Sequence, residues 1–113
     1  MQTANVLAEP KFDAQKWNKV GLVKTNQIAA DCFFLKAGQG HRWHRHPDAD
    51  KVVMCLSGEG ELLVDEAQAA QRTELRPGVV ALVPRGAWHR MAATSADMIA
   101  LTAQKFPFLV EEK

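Results

Sequence analysis

The chain has 113 residues, 14 basic and 13 acidic side chains, and a formal net charge of +1. A chain of this length predicts one domain over residues 1–113, which can bury roughly two-thirds of its extended surface. The balanced charge, without any run of basic residues, argues against nucleic-acid and membrane-surface partners. No apolar run approaches the roughly 18 residues that a membrane span needs. We therefore expect the partner to be a small molecule.

The cysteines bear on the cellular compartment. The chain has two of them, Cys32 and Cys55, and no signal-peptide pattern precedes them. Two widely spaced cysteines in apolar strand patterns are typical of free, buried thiols rather than of a disulfide framework. The sequence therefore predicts a protein of the reducing cytoplasm.

The first half of the chain alternates between short strand patterns and turns. Residues 1–15 show no sustained period and predict an N-terminal arm, which could pack on a neighbouring subunit. Residues 16–25 and 28–37 predict two strands. After a turn at Gly38 and Gly40, residues 42–46 predict a short strand, which ends at the turn in residues 47–50.

The second half continues in the same way. Residues 51–56 and 61–64 predict the two strands of a hairpin around a glycine turn, and residues 65–71 predict a loop or turn. Further strands are predicted at residues 72–75, 79–84, 88–94 and 98–104, followed by a C-terminal tail over residues 105–113. Eight or nine short strands without a helix predict an antiparallel sandwich or barrel.

The histidines are the main clue to function. Residues two apart on a strand point to the same face, so His44 and His46 would present both imidazoles to one surface. A closed β-structure could bring His89 opposite that pair, and three neutral imidazoles suit a first-row transition metal. His41 lies an odd number of residues from His44 and is predicted to be a surface residue or a residue that supports a ligand, rather than a ligand.

The spacing of these residues resembles the two motifs of the cupin family. The first motif is matched by Gly38, His44, His46 and Gly58, and the second by Gly78, Pro84, Gly86 and His89. Together the motifs cover residues 38–93, about half of the chain. The resemblance implies an all-β, antiparallel jelly-roll barrel of the small single-domain kind.

Two positions depart from the family pattern. Lys51 stands where the family has a glutamate ligand, and Ala93 stands where it has an asparagine. An ammonium group about 4 Å from a metal ion costs roughly 4 kcal/mol per unit charge at an effective dielectric constant of 20. The lysine therefore leaves three interpretations of the site open.

In the first interpretation, His44, His46 and His89 alone hold a divalent transition metal such as zinc, nickel, iron, manganese or copper. In the second, a slip of one residue lets Asp50, or less easily Asp48, supply the carboxylate. In the third, no metal binds and the Lys51 ammonium occupies part of its place.

The resemblance implies a choice between two classes of function. One is a metal-dependent oxygenase, isomerase or decarboxylase, in which Lys51 would be the catalytic residue as a general base, an anion clamp or a nucleophile. The other is a non-catalytic binding or sensing protein without metal. The edge strands of a short barrel, and the aromatic residues predicted to face outward, also predict a homodimer. Those aromatic residues are Trp17, Trp43 and Phe106.

Further side chains are predicted to line the pocket, because residues an even number of positions apart on a strand share a face. Cys55, Phe34 and Met91 share a face with residues of the motifs and could line the cavity. Arg42 could reach an anionic ligand at the mouth of the pocket. The residues next to the motif histidines are predicted to face outward, namely Trp43, Arg45 and Trp88.

Overall fold

Ten β-strands carry the regular structure of residues 1–66 and 69–113, the part of the chain that the computed structural model describes. The strands are β1 (Asn18–Lys24), β2 (Ile28–Leu35), β3 (His44–Arg45), β4 (Lys51–Ser57), β5 (Gly60–Glu66), β6 (Ala69–Leu75), β7 (Val80–Val83), β8 (Trp88–Ala93), β9 (Met98–Lys105) and β10 (Glu111–Glu112). These residues contain no helix, and hence none that is long and apolar enough to cross a membrane.

The strands form two five-stranded sheets in which all pairs are antiparallel. The first sheet has the order β1-β2-β9-β4-β7, and the second has the order β10-β3-β8-β5-β6. Successive strands repeatedly cross from one sheet to the other, as in a jelly roll. The predicted fold class, an all-β antiparallel jelly-roll barrel, is confirmed.

The predicted hairpin around residues 57–60 is wrong. Strand β4 pairs with β7 and β9 in the first sheet, whereas β5 pairs with β6 and β8 in the second. The turn at Gly58 therefore carries the chain between the sheets. Alternation of apolar residues indicates which face of a strand is buried, but it does not identify the neighbouring strand.

The loop predicted for residues 65–71 is also wrong for the residues that the structure describes. Asp65 and Glu66 belong to β5 and pair with Ala70 and Ala69 of β6. Residues 67 and 68 lie outside the described part of the chain. Helix-forming residue types occur here in strands because cross-strand pairing overrides local propensity.

Both ends of the chain pack on its own barrel. In the arm, Val6 and Phe12 cover the outer face of the first sheet, where Phe12 and Phe34 meet edge to face with centroids 5.6 Å apart. The predicted tail, residues 105–113, contains strand β10, which pairs with β3. The tail is therefore an edge of the second sheet, and it holds β3 in place.

The main core lies between the two sheets. Its buried members come from the inward faces of both sheets, and they include Phe33, Leu35, Val53, Cys55, Leu62, Leu75, Met91 and Met98. Cys32 and Cys55 are both buried free thiols, as predicted. This packing closes one end of the barrel and leaves a cavity towards the histidines.

We expect Gly58→Ala to lower the free energy of unfolding by about 2–4 kcal/mol. Gly58 has a φ of +82°, and a Cβ atom there would overlap the main chain of Asp97 and Met98. Gly38→Ala is the matched control, because Gly38 has a φ of +84° and no atom near the added Cβ. Urea denaturation measures both changes, and equal losses in the two variants would contradict the steric explanation.

Candidate metal centre

The second sheet brings together three of the residues predicted to form the site. His44 in β3 stands directly opposite His89 in β8, and His46 follows β3 on the same side. The ring centroids of His44 and His89 are 4.1 Å apart, and those of His46 and His89 are 5.5 Å apart. One nitrogen from each of the three rings lies within 4.8 Å of the others.

Main-chain carbonyl groups orient the three imidazoles. The Nδ1 atoms of His44, His46 and His89 lie 3.0, 2.9 and 3.0 Å from the carbonyl oxygens of Arg42, Leu109 and Ala87, respectively. Since a carbonyl oxygen only accepts, each Nδ1 carries the hydrogen and each Nε2 keeps a free lone pair. The Nε2 atoms of His46 and His89 are buried and have no hydrogen-bond partner among the described residues.

Burial keeps these imidazoles neutral. It lowers the pKa of His44 to about 4, with the charge of Lys51 as the next cause. Burial and Lys51 also lower the pKa of His46 and bring that of His89 to about 2. A neutral imidazole is the form that binds a metal ion, so the cluster is in its ligating form at neutral pH.

Lys51 reaches the same cavity from the first sheet. It begins β4, it is 3 % exposed, and its Nζ lies 5.3 Å from the centroid of the Phe33 ring. Burial, with a smaller effect of the Lys19 charge, lowers the pKa of Lys51 to about 7, while the Asp31 carboxylate opposes this shift. Over the described ranges, no carboxylate oxygen lies within 4.0 Å of its Nζ.

The carboxylates considered as substitute ligands are bound elsewhere, so the interpretation that Asp50 or Asp48 completes the site is wrong. Asp50 accepts hydrogen bonds from the main chain and the guanidinium of Arg85. Asp48 accepts from the Leu109 N–H and pairs with Lys105. The metal-ligand cluster found among the described residues contains neither of them.

His41 is not a surface residue. It fits the other prediction, that of a residue that supports a ligand. It is 3 % exposed, and its ring centroid lies 4.6 Å from that of His44. Its Nε2 accepts from the Met91 N–H and its Nδ1 donates to the Arg42 carbonyl, so neither nitrogen is free for a metal. The prediction that His41 faces away from His44 was wrong because it assumed a regular strand. This segment forms only an isolated bridge at Gly40.

A cavity of about 380 Å³ opens beside the cluster. Its size falls within the range of small-molecule sites. Apolar and aromatic side chains line part of the cavity, namely Trp17, Phe33, Phe108 and Val110. Charged and polar side chains line the rest, namely Lys19, Asp31, Arg42, Lys51, Thr102, Gln104 and Glu112, together with His41, His44 and His46. Of these, Trp17 was predicted to face outward, whereas Gln104, Thr102 and Asp31 were not singled out from the sequence.

The parity predictions for the wall of the cavity had mixed outcomes. Phe34 lies under the N-terminal arm on the other face of its strand, and Phe33 takes the expected place. Met91 and Cys55 belong to the core, and burial raises the pKa of the Cys55 thiol, which makes it a poor nucleophile. Arg42 lines the mouth, as predicted.

The side chains predicted to face outward pack together away from the cavity lining. The Arg45 guanidinium lies 4.7 Å from the centroid of the Trp88 ring and pairs with Glu111 at 3.0 Å. Lys113 lies 5.6 Å from the ring centroid of Trp43 and 5.4 Å from that of Trp88. The end of the chain therefore contacts the back of β3 and β8.

We expect Lys51→Met to stabilise the metal-free protein by on the order of 2–4 kcal/mol at pH 6. Because the pKa of Lys51 is lowered on folding, the unfolded state binds more protons between about pH 7 and the ordinary lysine pKa near 10.4. The wild type should therefore gain stability as pH rises through this window, and the advantage of the variant should shrink.

Urea denaturation of chelator-treated protein at pH 6, 8 and 9.5 measures this difference. Lys16→Met is the control, because Lys16 is exposed, and we expect it to leave stability nearly unchanged at every pH. A variant at position 51 whose advantage does not depend on pH would contradict the electrostatic cost assigned to the buried lysine.

Comparison with known proteins identifies the family and the fold. A family model described as a cupin domain matches residues 32–103. The search of curated proteins finds no significant match. Among solved structures, the protein TT1209 from Thermus thermophilus superposes with a TM-score of 0.83 and 24% identity, over 93% of this chain and 97% of that one.

Two further solved structures have the same fold. An RmlC-like cupin protein from Desulfovibrio desulfuricans has a TM-score of 0.81 and 25% identity, with coverage of 93% of this chain and 96% of that one. A conserved protein with a double-stranded β-helix domain from Klebsiella pneumoniae has a TM-score of 0.83 and 19% identity, with coverage of 100% and 99%. On the family match and the shared fold, this chain belongs to the cupin family.

Proposed function

We propose that this protein is a small cupin that holds a divalent transition metal through His44, His46 and His89 and binds a small molecule in the adjoining cavity. The observation that carries the proposal is the state of the imidazole nitrogens. The Nδ1 atom of each of the three rings donates a hydrogen bond to a carbonyl oxygen. Two of the three Nε2 atoms are buried without a partner among the described residues. Buried polar atoms almost always have a partner, so these two lone pairs are suited to a metal ion.

The donor set suits the proposed metal. Three neutral imidazoles are adequate ligands for zinc, nickel, iron, manganese or copper, and they leave coordination positions for water or a ligand. The main-chain bonds to Nδ1 correspond to the outer partners that orient histidine ligands in known metal sites. A bound metal would supply Lewis acidity or an oxygen-binding centre.

Lys51 is the residue that we propose for proton transfer at this site. It is buried in the cavity wall, and its lowered pKa of about 7 lets it both accept and release a proton near neutral pH. In an oxygenase, isomerase or decarboxylase it would act as a general base or hold an anionic group of the substrate.

A second candidate function is non-catalytic binding of a small molecule without metal. One observation favours it: a buried lysine stands at the position of the family's glutamate ligand, so the site has lost a negative charge and gained a positive one. In this alternative, the Lys51 ammonium donates hydrogen bonds towards the imidazoles or to an anionic ligand.

We expect untagged protein to bind close to one equivalent of zinc or nickel per chain after dialysis, as measured by elemental analysis and isothermal titration calorimetry. His46→Ala and His89→Ala should each weaken binding by roughly a hundredfold or more, since each removes a direct ligand. His41→Gln is the matched control, because His41 is a buried imidazole beside the cluster with both nitrogens engaged. It should keep most of the affinity.

Lys51→Glu separates the two candidate functions in the same titration. If the chain binds metal poorly because of the lysine, this substitution should create or strengthen metal binding. Wild-type protein that takes up well under one equivalent, and histidine variants that change nothing, would reject the metal centre and leave the metal-free alternative.

We also propose that the protein is a homodimer, on grounds that differ from the predicted outward aromatic residues. Outward side chains of β4, β7 and β9 form an apolar strip, made of Val52, Met54, Val80, Leu82, Leu101 and Ala103. Lys105 ends β9 on the same face, where it pairs with Asp48 at 3.2 Å. Val80 and Leu82 are 59% and 62% exposed and lie on the edge strand β7. An exposed apolar strip is buried best against another apolar surface. A second copy of the chain, related by a two-fold axis, offers the same strip.

We expect Leu82→Lys to convert the dimer to a monomer in sedimentation velocity runs, because it places a charge on the most exposed side chain of the apolar strip. Leu7→Lys is the control, since Leu7 is also an exposed leucine but lies in the N-terminal arm, and it should leave the mass unchanged. A wild-type chain that sediments as a monomer at about 100 µM would contradict the dimer, because its dissociation constant would then be higher than that of most specific interfaces.

A further inference from the structure

Two of the buried polar side chains that line the cavity lie outside the set of metal-ligand histidines and face each other. Lys51 in β4 and Gln104 in β9 stand directly opposite each other across the first sheet, and they are 3 % and 6 % exposed. The Oε1 atom of Gln104 is buried and lacks a hydrogen-bond partner in the described residues. Since unpartnered buried polar groups are costly, this wall of the cavity is suited to a ligand that supplies charge and hydrogen bonds.

The charges around the cavity favour a negative ligand. The lining holds three cations, Lys19, Arg42 and Lys51, and two carboxylates, Asp31 and Glu112. Arg42 and Glu112 pair with each other at 3.7 Å at the exposed mouth. The remaining two lysines face a single carboxylate, which leaves one net positive charge when Lys51 is protonated, and a cavity lined in this way concentrates anions.

The remaining walls of the cavity are apolar and aromatic. Trp17 and Phe33 lie on one side with ring centroids 5.8 Å apart. Phe108 also lines the cavity, with its ring centroid 5.0 Å from that of His46. Flat aromatic walls around a few polar groups are typical of sites that hold the apolar body of a small molecule and fix its orientation by its polar end.

We propose that this cavity binds a small organic acid whose carboxylate lies at Lys51, with Lys19 at the mouth, and whose apolar or aromatic body packs against Trp17 and Phe33. The carboxylate of the ligand would then provide the negative charge that Lys51 lacks among the described residues of its own chain. The buried Oε1 of Gln104 accepts a hydrogen bond from a hydroxyl or N–H group on the same acid. The inference rests on the proposed function only in its use of the same cavity.

Phenylacetate and phenylacetamide are the probes that test this inference. They have nearly the same size and shape, but only the first is charged. We expect chelator-treated full-length protein to bind phenylacetate roughly tenfold or more tightly than phenylacetamide, as a charge-assisted hydrogen bond allows. Isothermal titration calorimetry measures both affinities, and the fluorescence of Trp17 in the cavity wall provides a second readout.

Lys51→Met should abolish the preference for the acid while leaving the affinity for phenylacetamide nearly unchanged. Removing a buried charge does not threaten folding, and circular dichroism checks this. Lys16→Met is the matched control, because Lys16 is an exposed lysine outside the lining of the cavity, and it should keep the preference. Gln104→Leu should weaken binding of mandelate, which adds a hydroxyl to phenylacetate, more than binding of phenylacetate itself.

Several results would overturn the inference. These are equal affinities for the acid and the amide, a preference that survives in Lys51→Met, no binding of phenylacetate at tens of millimolar, or a preference that appears only after zinc is added. Metal uptake is measured on the same samples. Metal binding without any preference for the acid overturns this inference alone, whereas a preference for the acid without metal uptake overturns the metal centre alone.

Discussion

Main-chain carbonyl oxygens determine what the histidine cluster can do. Each of the four imidazoles of the cluster and its neighbour His41 places its Nδ1 against such an oxygen, and the Arg42 carbonyl serves both His41 and His44. This arrangement selects one tautomer and turns the free Nε2 lone pairs of three rings towards one another. Because burial also keeps the rings neutral, the cluster is in the protonation state and tautomer that could hold a metal ion.

The two sheets contribute different chemistry to the same cavity. The second sheet supplies the imidazoles, whereas the first supplies the buried ammonium of Lys51, the amide of Gln104 and the aromatic face of Phe33. A positive group opposite a cationic centre is unfavourable unless a negative charge lies between them. Lys51, which stands at the position of the family's glutamate, therefore gives this wall of the cavity a positive group in place of a negative one.

Most strands were predictable because their chemistry is local. Alternation marks the inward faces of β4, β8 and β9, and glycine turns separate the strands at close spacing. Pairing was not predictable in this way: the strands on either side of Gly58 looked like a hairpin but belong to different sheets. Short segments at the ends of the chain also lacked a signal, although β10 holds β3 and the Leu109 carbonyl orients His46.

By itself, the sequence determined the all-β class, the two histidine motifs and the unusual lysine at position 51, since these depend on residue type and on spacing along the chain. Only the tertiary structure decided the neighbours of these residues. It buried His41 beside His44 because the segment before β3 is irregular, and it bound Asp48 and Asp50 to partners outside the cluster. It also placed Gln104 opposite Lys51, although the two residues are 53 positions apart in the chain. That contact depends on the register of strands across a sheet, and register is set by long-range packing rather than by local pattern.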